Sequence, residues 1–215
     1  MPRWRWERKF CPVEETKEIR SLASDLVKFL TLSPKCKSNS LRNKLIINQM
    51  NTIRSSEFKA MIAKRGDLTM IEVNGKVFAI GGHVYKSMLN SVESTTLADA
   101  KWTSLASMKY AREKTAAAVL DSYIYVTGGH KPPNILDLVE KYDIANNKWE
   151  VVAPLVRKRN NHGLINLNGA LLAFGGWADS KWECSIETYK PELNSWAVEQ
   201  LRMPECKESF AWIAM

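Results

Sequence analysis

The chain has 215 residues, of which 45% are hydrophobic and 25% charged, a composition typical of globular proteins and unlike that of disordered or fibrous chains. No apolar run approaches the roughly 20 residues that a membrane-spanning helix needs, and the charged N-terminus does not fit a signal peptide, so we expect a cytoplasmic protein. The net charge of +8 would suit a nucleic-acid binder, but residues 1–65 hold 15 Lys+Arg and 6 Asp+Glu, whereas residues 66–215 hold 16 and 17.

Residues 1–63 form a basic segment with the periodicity of amphipathic helices. The first predicted helix ends before Pro34, and the second begins at Ser40, a favourable N-cap residue. Their apolar faces consist of Ile19, Leu22, Ala23, Leu26, Phe29 and Leu30, and of Leu41, Leu45, Met50 and Ile53. We expect these helices to pack on each other or on the region that follows, and the alternative is that they bind a partner or an acidic surface. Residues 3–9, rich in Arg and Trp, are interpreted as a disordered tail.

Beyond residue 64 the sequence repeats with a period of 47 residues. All ten glycines lie in this part of the chain, and six of them form three pairs with that spacing. The same step relates three other residue types, so the registered positions are Gly81-Gly82, Gly128-Gly129 and Gly175-Gly176; Arg65, Arg112 and Arg159; Glu93, Glu140 and Glu187; and Trp102, Trp149 and Trp196. Four residue types with one period define repeats at about residues 65–111, 112–158 and 159–206.

Each repeat has the pattern of four antiparallel strands. After the Arg, two apolar runs are joined by a tight turn, either Asn-Gly or Asp-Ser, and Asn-Gly is the strongest short signal for a β-hairpin. A third strand surrounds the Glu, and a fourth carries the Trp. The first two strands of the repeats are predicted over residues 69–73 and 76–80, 115–120 and 123–127, and 163–167 and 170–174.

The registered Arg, diglycine, Glu and Trp resemble the kelch repeat. A Tyr follows the Glu at Tyr142 and Tyr189, as is usual in that family, whereas the first repeat has Thr95. The resemblance implies that each repeat is one blade of a β-propeller whose first strand is innermost. The expected fold class is therefore mainly β: three four-stranded blades of a partial kelch-type propeller, with one extra strand at residues 207–215 and a helical segment before the blades.

The repeated residues are expected to stabilise the blades. A diglycine that ends an apolar strand permits positive φ or a close backbone approach, and no helix follows it, as a dinucleotide-binding loop would require. The Trp side chains are expected to pack between neighbouring blades. The Arg and Glu are predicted to form a partly buried ion pair, either within one blade or between two.

The number of repeats leaves the ring open. Propellers ordinarily have about 4–8 blades, because each blade must bury its faces against two neighbours. With three blades, we expect an open arc, part of a longer protein, or half of an assembly in which self-association completes the ring.

The resemblance also implies where a protein partner would bind. In kelch propellers that bind proteins, the contacts come from loops at one mouth of the ring, at the residue after the diglycine and at the residues after the motif Arg. The corresponding residues of this chain are His83, His130, Trp177, Asp67, Glu113, Lys114, Asn160 and Asn161. Variable loops on a constant frame favour binding over catalysis.

Catalytic and metal sites are not expected. Two of the three histidines occupy equivalent repeat positions, His162 lies next to a predicted strand, and the chain lacks a G-x-S-x-G motif, so no nucleophile with its base is indicated. The four cysteines, Cys11, Cys36, Cys184 and Cys206, form no C-x-x-C pair, which argues against a zinc site and favours reduced thiols. We expect no enzyme activity, no metal and no cofactor.

These features predict a non-enzymatic protein-protein interaction module. The resemblance implies substrate recognition for a cullin-type ubiquitin ligase, or actin-associated scaffolding. The alternative is a binder of nucleic acid or of an acidic partner through the basic segment, and its affinity would fall steeply with salt.

Overall fold

The computed structural model describes most of the chain after residue 59, namely residues 60–96, 101–178, 181–203 and 206. Over this part the protein is mainly β and contains three four-stranded antiparallel sheets, one for each repeat. Among the described residues, no helix has the length and hydropathy required to cross a bilayer. The predicted helices before residue 60 and the predicted strand at residues 207–215 lie outside the described residues.

Each blade contains four sheet strands and, between the second and the third, a small two-stranded hairpin. Blade 1 consists of β1 (Thr69–Val73), β2 (Lys76–Ile80), β3 (His83–Val84), β4 (Ser87–Met88), β5 (Val92–Thr96) and β6 (Thr103–Leu105). Blade 2 consists of β7 (Ala116–Leu120), β8 (Tyr123–Thr127), β9 (His130–Lys131), β10 (Asn134–Ile135), β11 (Val139–Asp143) and β12 (Lys148–Val152). Blade 3 consists of β13 (Gly163–Leu167), β14 (Ala170–Phe174), β15 (Trp177–Ala178), β16 (Lys181–Trp182), β17 (Ser185–Lys190) and β18 (Ser195–Arg202).

The first hairpin of every blade confirms the prediction from sequence. The strands begin and end as predicted, except that β7 starts at Ala116 instead of residue 115. In the turn between β1 and β2, Asn74 and Gly75 have φ values of 52° and 77°. Two consecutive positive φ values give a type I′ turn, whose twist matches that of the strands it joins.

The hydrophobic core lies between neighbouring blades. Strand β8 of the middle blade shows why its residues 123–126 are apolar in succession instead of alternating. Ile124 and Val126 belong to the core shared with blade 1, whereas Tyr125 belongs to the core shared with blade 3. Because successive side chains of a strand point to opposite faces, a strand buried on both faces must be apolar throughout.

Trp149 and Trp196 contact the preceding blade, as predicted, whereas Trp102 packs on Val77 and Ala79 of its own blade. The indole Nε1 of Trp149 donates a hydrogen bond to the carbonyl oxygen of Ala106 in blade 1, at 2.8 Å. The amide of the same Ala106 donates to Asn147 Oδ1 of blade 2, also at 2.8 Å. Blade 2 therefore binds both backbone groups of one residue in blade 1, and blade 3 repeats the arrangement on blade 2 through Trp196, Asn194 and Ala153.

The predicted Arg–Glu ion pairs are confirmed, and each lies within one blade. In blade 2, the guanidinium of Arg112 lies 3.1 Å from Glu140 Oε1 and also donates to the carbonyls of Gly128 and Leu138. The pair is fully buried, not partly. Burial lowers the pKa of Arg112 to about 10, against the attraction of Glu140, so the side chain stays charged at neutral pH. The equivalent pairs are Arg65 with Glu93, and Arg159 with Glu187.

The expectation of reduced thiols is wrong for two of the cysteines. Cys184 and Cys206 form a disulfide bond, with Cα atoms 4.6 Å apart. Cys184 comes just before β17 and Cys206 just after its antiparallel partner β18, so strand pairing brings together residues that are 22 apart in sequence. The sequence did not indicate this disulfide, because the two cysteines are far apart along the chain and only the pairing of the strands brings them together.

Candidate partner-binding surface

The structure brings the two predicted sets of residues together in pairs. After each diglycine the chain enters the small hairpin, and the first residue of that hairpin exchanges two backbone hydrogen bonds with the residue that follows the motif Arg. For His130 and Glu113 these bonds measure 2.8 and 3.0 Å. The other pairs are His83 with Gly66, and Trp177 with Asn160.

The diglycines allow the backbone to approach closely enough for these pairs to form, which is the structural role predicted for them. Gly128 and Gly129 have φ values of 58° and 106°. A Cβ atom on Gly128 would lie 2.3 Å from the carbonyl oxygen of Arg159, and one on Gly129 would lie 2.7 Å from that of Glu113. Any side chain here would push blade 2 away from its own loop and from blade 3.

The second residue after each motif Arg adopts the left-handed conformation. Asp67, Lys114 and Asn161 have φ values of 48°, 55° and 48°. Their backbones form a row across the blades, because the amide of Lys114 donates to the carbonyl of Asp67 and the amide of Asn161 to that of Lys114, both at 3.0 Å. Asp and Asn tolerate this conformation better than Lys does, so the surrounding structure holds Lys114 in place.

At the junction of blades 1 and 2, two histidines flank one buried carboxylate. Glu113 has a side chain only 7% exposed; its Oε1 lies 3.0 Å from Nδ1 of His130, and its Oε2 lies 2.5 Å from Nδ1 of His83. The ammonium of Lys114 lies 3.8 Å from Glu113 Oε1 and 3.9 Å from Asp67 Oδ2. The ring of His83 packs on Gly66, where a Cβ atom would lie 2.9 Å from it. Asp67, His83 and Glu113 therefore form one polar cluster.

At the junction of blades 2 and 3, the surface opens into a groove of about 690 Å³. The rings of Trp177 and Trp182 meet edge to face on one side, with centroids 4.5 Å apart, and Trp182 is 43% exposed. The groove contains five of the predicted residues, and its full lining is Lys114, His130, Pro133, Asn134, Ile135, Lys158, Asn160, Asn161, Trp177 and Trp182.

Part of this surface escaped the sequence analysis. The segments after the diglycines, interpreted from the sequence as variable loops, each contain a hairpin of two-residue strands, which are too short to show periodicity. In blade 3 this hairpin places Trp182 directly opposite Trp177. Trp182 was therefore missed as a groove residue. Lys158, which precedes the motif Arg159, and the meeting of Asp67, His83 and Glu113 were missed as well.

His162 packs inside the molecule, as expected from its place in the repeat. Its Nε2 lies 2.8 Å from Thr127 Oγ1, and the residue is 5% exposed. Burial lowers the pKa of His162 well below its ordinary value, and the charges of Arg159 and Arg112 lower it further. The imidazole is therefore neutral at physiological pH and separate from the groove.

Comparison with known proteins agrees with this architecture. Kelch motifs match residues 111–156 and 158–199, which correspond to blades 2 and 3. Curated proteins give no significant match. Among solved structures, that of YjhT is similar with a TM-score of 0.60 and 18% identity, over 68% of this chain and 54% of YjhT, so the match spans about half the length of that protein. This similarity shows the fold, part of a β-propeller, and the motif matches show kelch repeats in blades 2 and 3.

Proposed function

We propose that this protein is a non-enzymatic protein-binding module whose groove between blades 2 and 3 receives a segment of a partner protein. The observation that carries the proposal is the partly exposed pair Trp177 and Trp182, which lies beside the lysines of the same groove. Tryptophan is enriched in the energetically dominant part of protein interfaces, because it buries a large area and loses little conformational entropy. The backbone bonds between Trp177 and Asn160 hold the first ring in place before binding.

The chemistry of the groove favours an acidic segment with an apolar or aromatic residue. Lys158 supplies positive charge, Lys114 adds a charge that is partly offset by Asp67 and Glu113, and the described residues that line the groove include no Asp or Glu. Complementary charge steers association and selects the partner. The side-chain amide of the half-buried Asn161 can donate to and accept from the backbone of an extended peptide.

Two biological roles are compatible with such a module. Substrate recognition for a cullin-type ubiquitin ligase predicts that a cullin copurifies with the full chain, and actin-associated scaffolding predicts cosedimentation with actin filaments. Both roles are proposals that rest on the kelch repeats, and these two measurements separate them.

The groove is tested by selecting peptides from a random display library on the full chain. We expect selected sequences to combine Asp or Glu with an aromatic residue, and Trp182→Ala and Lys158→Ala to weaken their binding at least tenfold in fluorescence polarisation. The matched control is Lys148→Ala, which removes an exposed lysine of β12 outside the groove. Peptides that bind Trp182→Ala as tightly as the unsubstituted protein would refute the proposed site.

A second candidate function is supported by the charge distribution. Residues 1–65 hold 15 Lys+Arg and 6 Asp+Glu, which suits nucleic acid or an acidic protein. Binding through this segment would fall steeply with salt and would be unchanged in Trp182→Ala. Binding through the groove would lose affinity in that variant at every salt concentration.

A further inference from the structure

We propose that Asp67, His83 and Glu113 bind one divalent transition-metal ion at the junction of blades 1 and 2. Each residue offers one ligand atom, and these atoms all lie within 4.8 Å of one another. The set combines one imidazole nitrogen with two carboxylate oxygens. Three protein ligands with a position left for water or a further ligand is the arrangement of an open zinc site.

The fold holds the three ligands in place before any ion binds. His83 is fixed by two backbone hydrogen bonds with Gly66, at 2.8 and 2.9 Å, and its ring rests on the same glycine. Glu113 is fixed by the equivalent bonds with His130. Asp67 accepts the backbone hydrogen bond from the residue after Glu113, at 3.0 Å. The ligands thus come from two blades. Folding already orders them, so little conformational entropy is lost when an ion binds.

His83 and Glu113 point their ligand atoms at each other. Nδ1 of His83 is buried and has no hydrogen bond of favourable geometry, and Oε2 of the buried Glu113 lies 2.5 Å away. Tetrahedral Zn²⁺ with bonds of about 2.0–2.2 Å separates its ligands by about 3.3–3.6 Å. A small rotation of the Glu113 carboxylate opens the contact to that separation and lets the ion meet both atoms.

Two neighbouring side chains support this arrangement. Nδ1 of His130 lies 3.0 Å from Glu113 Oε1, which orients the carboxylate and leaves Oε2 for the ion. The ammonium of Lys114 lies 3.9 Å from Asp67 and 3.8 Å from Glu113. The same two carboxylates therefore already attract a positive charge, and a metal ion would compete with Lys114 for them.

The repeat supplies an internal comparison at the next junction. One period later, the positions of Asp67, His83 and Glu113 are occupied by Lys114, His130 and Asn160. That junction has the same backbone pairing but neither carboxylate, so we expect no ion there. A mixed nitrogen and oxygen ligand set suits Zn²⁺ better than Mg²⁺ or Ca²⁺, which prefer oxygen alone.

The test is titration of the purified full chain with ZnCl₂ by isothermal calorimetry. We expect one ion per chain, no competition from excess MgCl₂, and affinity reduced at least tenfold in His83→Gln, Glu113→Gln and Asp67→Asn. Lys114→Met should instead raise the affinity about tenfold, because the competing ammonium is removed. Asp67→Asn is the variant expected to keep the fold, since Asn also adopts the left-handed conformation.

The control is Cys11→Ser with Cys36→Ser, which removes the thiols outside the disulfide. Unchanged zinc affinity in this double variant, with loss in Asp67→Asn and gain in Lys114→Met, would establish the site. The proposal is overturned if the unsubstituted chain binds no Zn²⁺, if the ligand variants bind it equally well, or if removal of the two thiols abolishes binding.

Discussion

The buried ion pair of blade 2 makes a quantitative prediction about what holds each blade together. Glu140→Gln leaves the guanidinium of Arg112 in the interior, with its carbonyl acceptors but without the carboxylate 3.1 Å away. The substitution also replaces the charged acceptor of the amides of Lys109 and Tyr110. Removal of one partner from a buried pair costs about 3–5 kcal/mol, a large part of a typical domain stability of about 5–15 kcal/mol.

The pairwise contribution is isolated by a double-mutant cycle with Arg112→Met, Glu140→Gln and the combined variant, each measured by urea unfolding. We expect a coupling free energy of about 1–3 kcal/mol, because each single substitution leaves the other buried group unpaired. The matched control is Lys141 with Glu150, an ion pair of the same blade at 3.2 Å whose Glu side chain is 65% exposed. Solvent screening should limit its coupling to about 0.2–1 kcal/mol.

The coupling free energies of the two cycles show whether the buried ion pair stabilises the blade more than an exposed pair does. If Arg112 and Glu140 couple no more strongly than the exposed pair, the ion pair does not anchor the blade, and its recurrence must be attributed to the separate hydrogen bonds of its two members.

Three further predictions concern the diglycine contact, the left-handed conformation of Asn147 and the buried His162, and each is tested by urea unfolding. Gly128→Ala should destabilise by several kcal/mol because its Cβ would lie 2.3 Å from the Arg159 carbonyl, whereas Gly169→Ala, with φ +82° and open space, should cost only about 1–2 kcal/mol; equal effects would refute the steric argument. Asn147→Ala should be less stable than Asn147→Gly by about 1 kcal/mol, since both lose the same hydrogen bonds but only Ala is strained at φ 50°. The pKa of His162 is depressed in the folded protein, so its contribution to the free energy of unfolding is complete above about pH 6.5. On acidification this contribution is lost by up to about 1.4 kcal/mol per pH unit. The free energy of unfolding of His162→Gln should therefore depend less steeply on pH.

The architecture was predictable because it is repeated. Asn-Gly is a strong hairpin signal, but the second repeat has Asp-Ser at this position, and its hairpin was predicted because the turn recurs in register with the other two. The ion pairs followed from opposite charges at one period. Their complete burial did not, because it depends on how Glu140 is enclosed by backbone amides from the preceding loop.

The candidate sites depend on features that do not repeat. The resemblance to kelch propellers predicted His130, Lys114 and Asn160 as partner-binding residues, and all three line one groove, although Asn160 is only 7% exposed. Trp182 was missed because a two-residue strand has no periodicity, and its pairing with Trp177 is visible only in three dimensions. The disulfide was missed for a similar reason, since strand register determines the approach of its cysteines.

The two junctions differ in chemistry but share one backbone arrangement, which explains how this surface can vary without loss of the fold. The hydrogen bonds that pair the hairpin with the residue after the motif Arg involve only main-chain atoms, so they are indifferent to the side chain. The first junction uses this position for Glu113, which meets two histidines, whereas the second has Asn160 beside an exposed tryptophan pair. Substitutions at such positions should therefore change what the surface binds far more than they change the free energy of unfolding. The diglycines and the buried ion pairs differ, because the fold itself requires these residues.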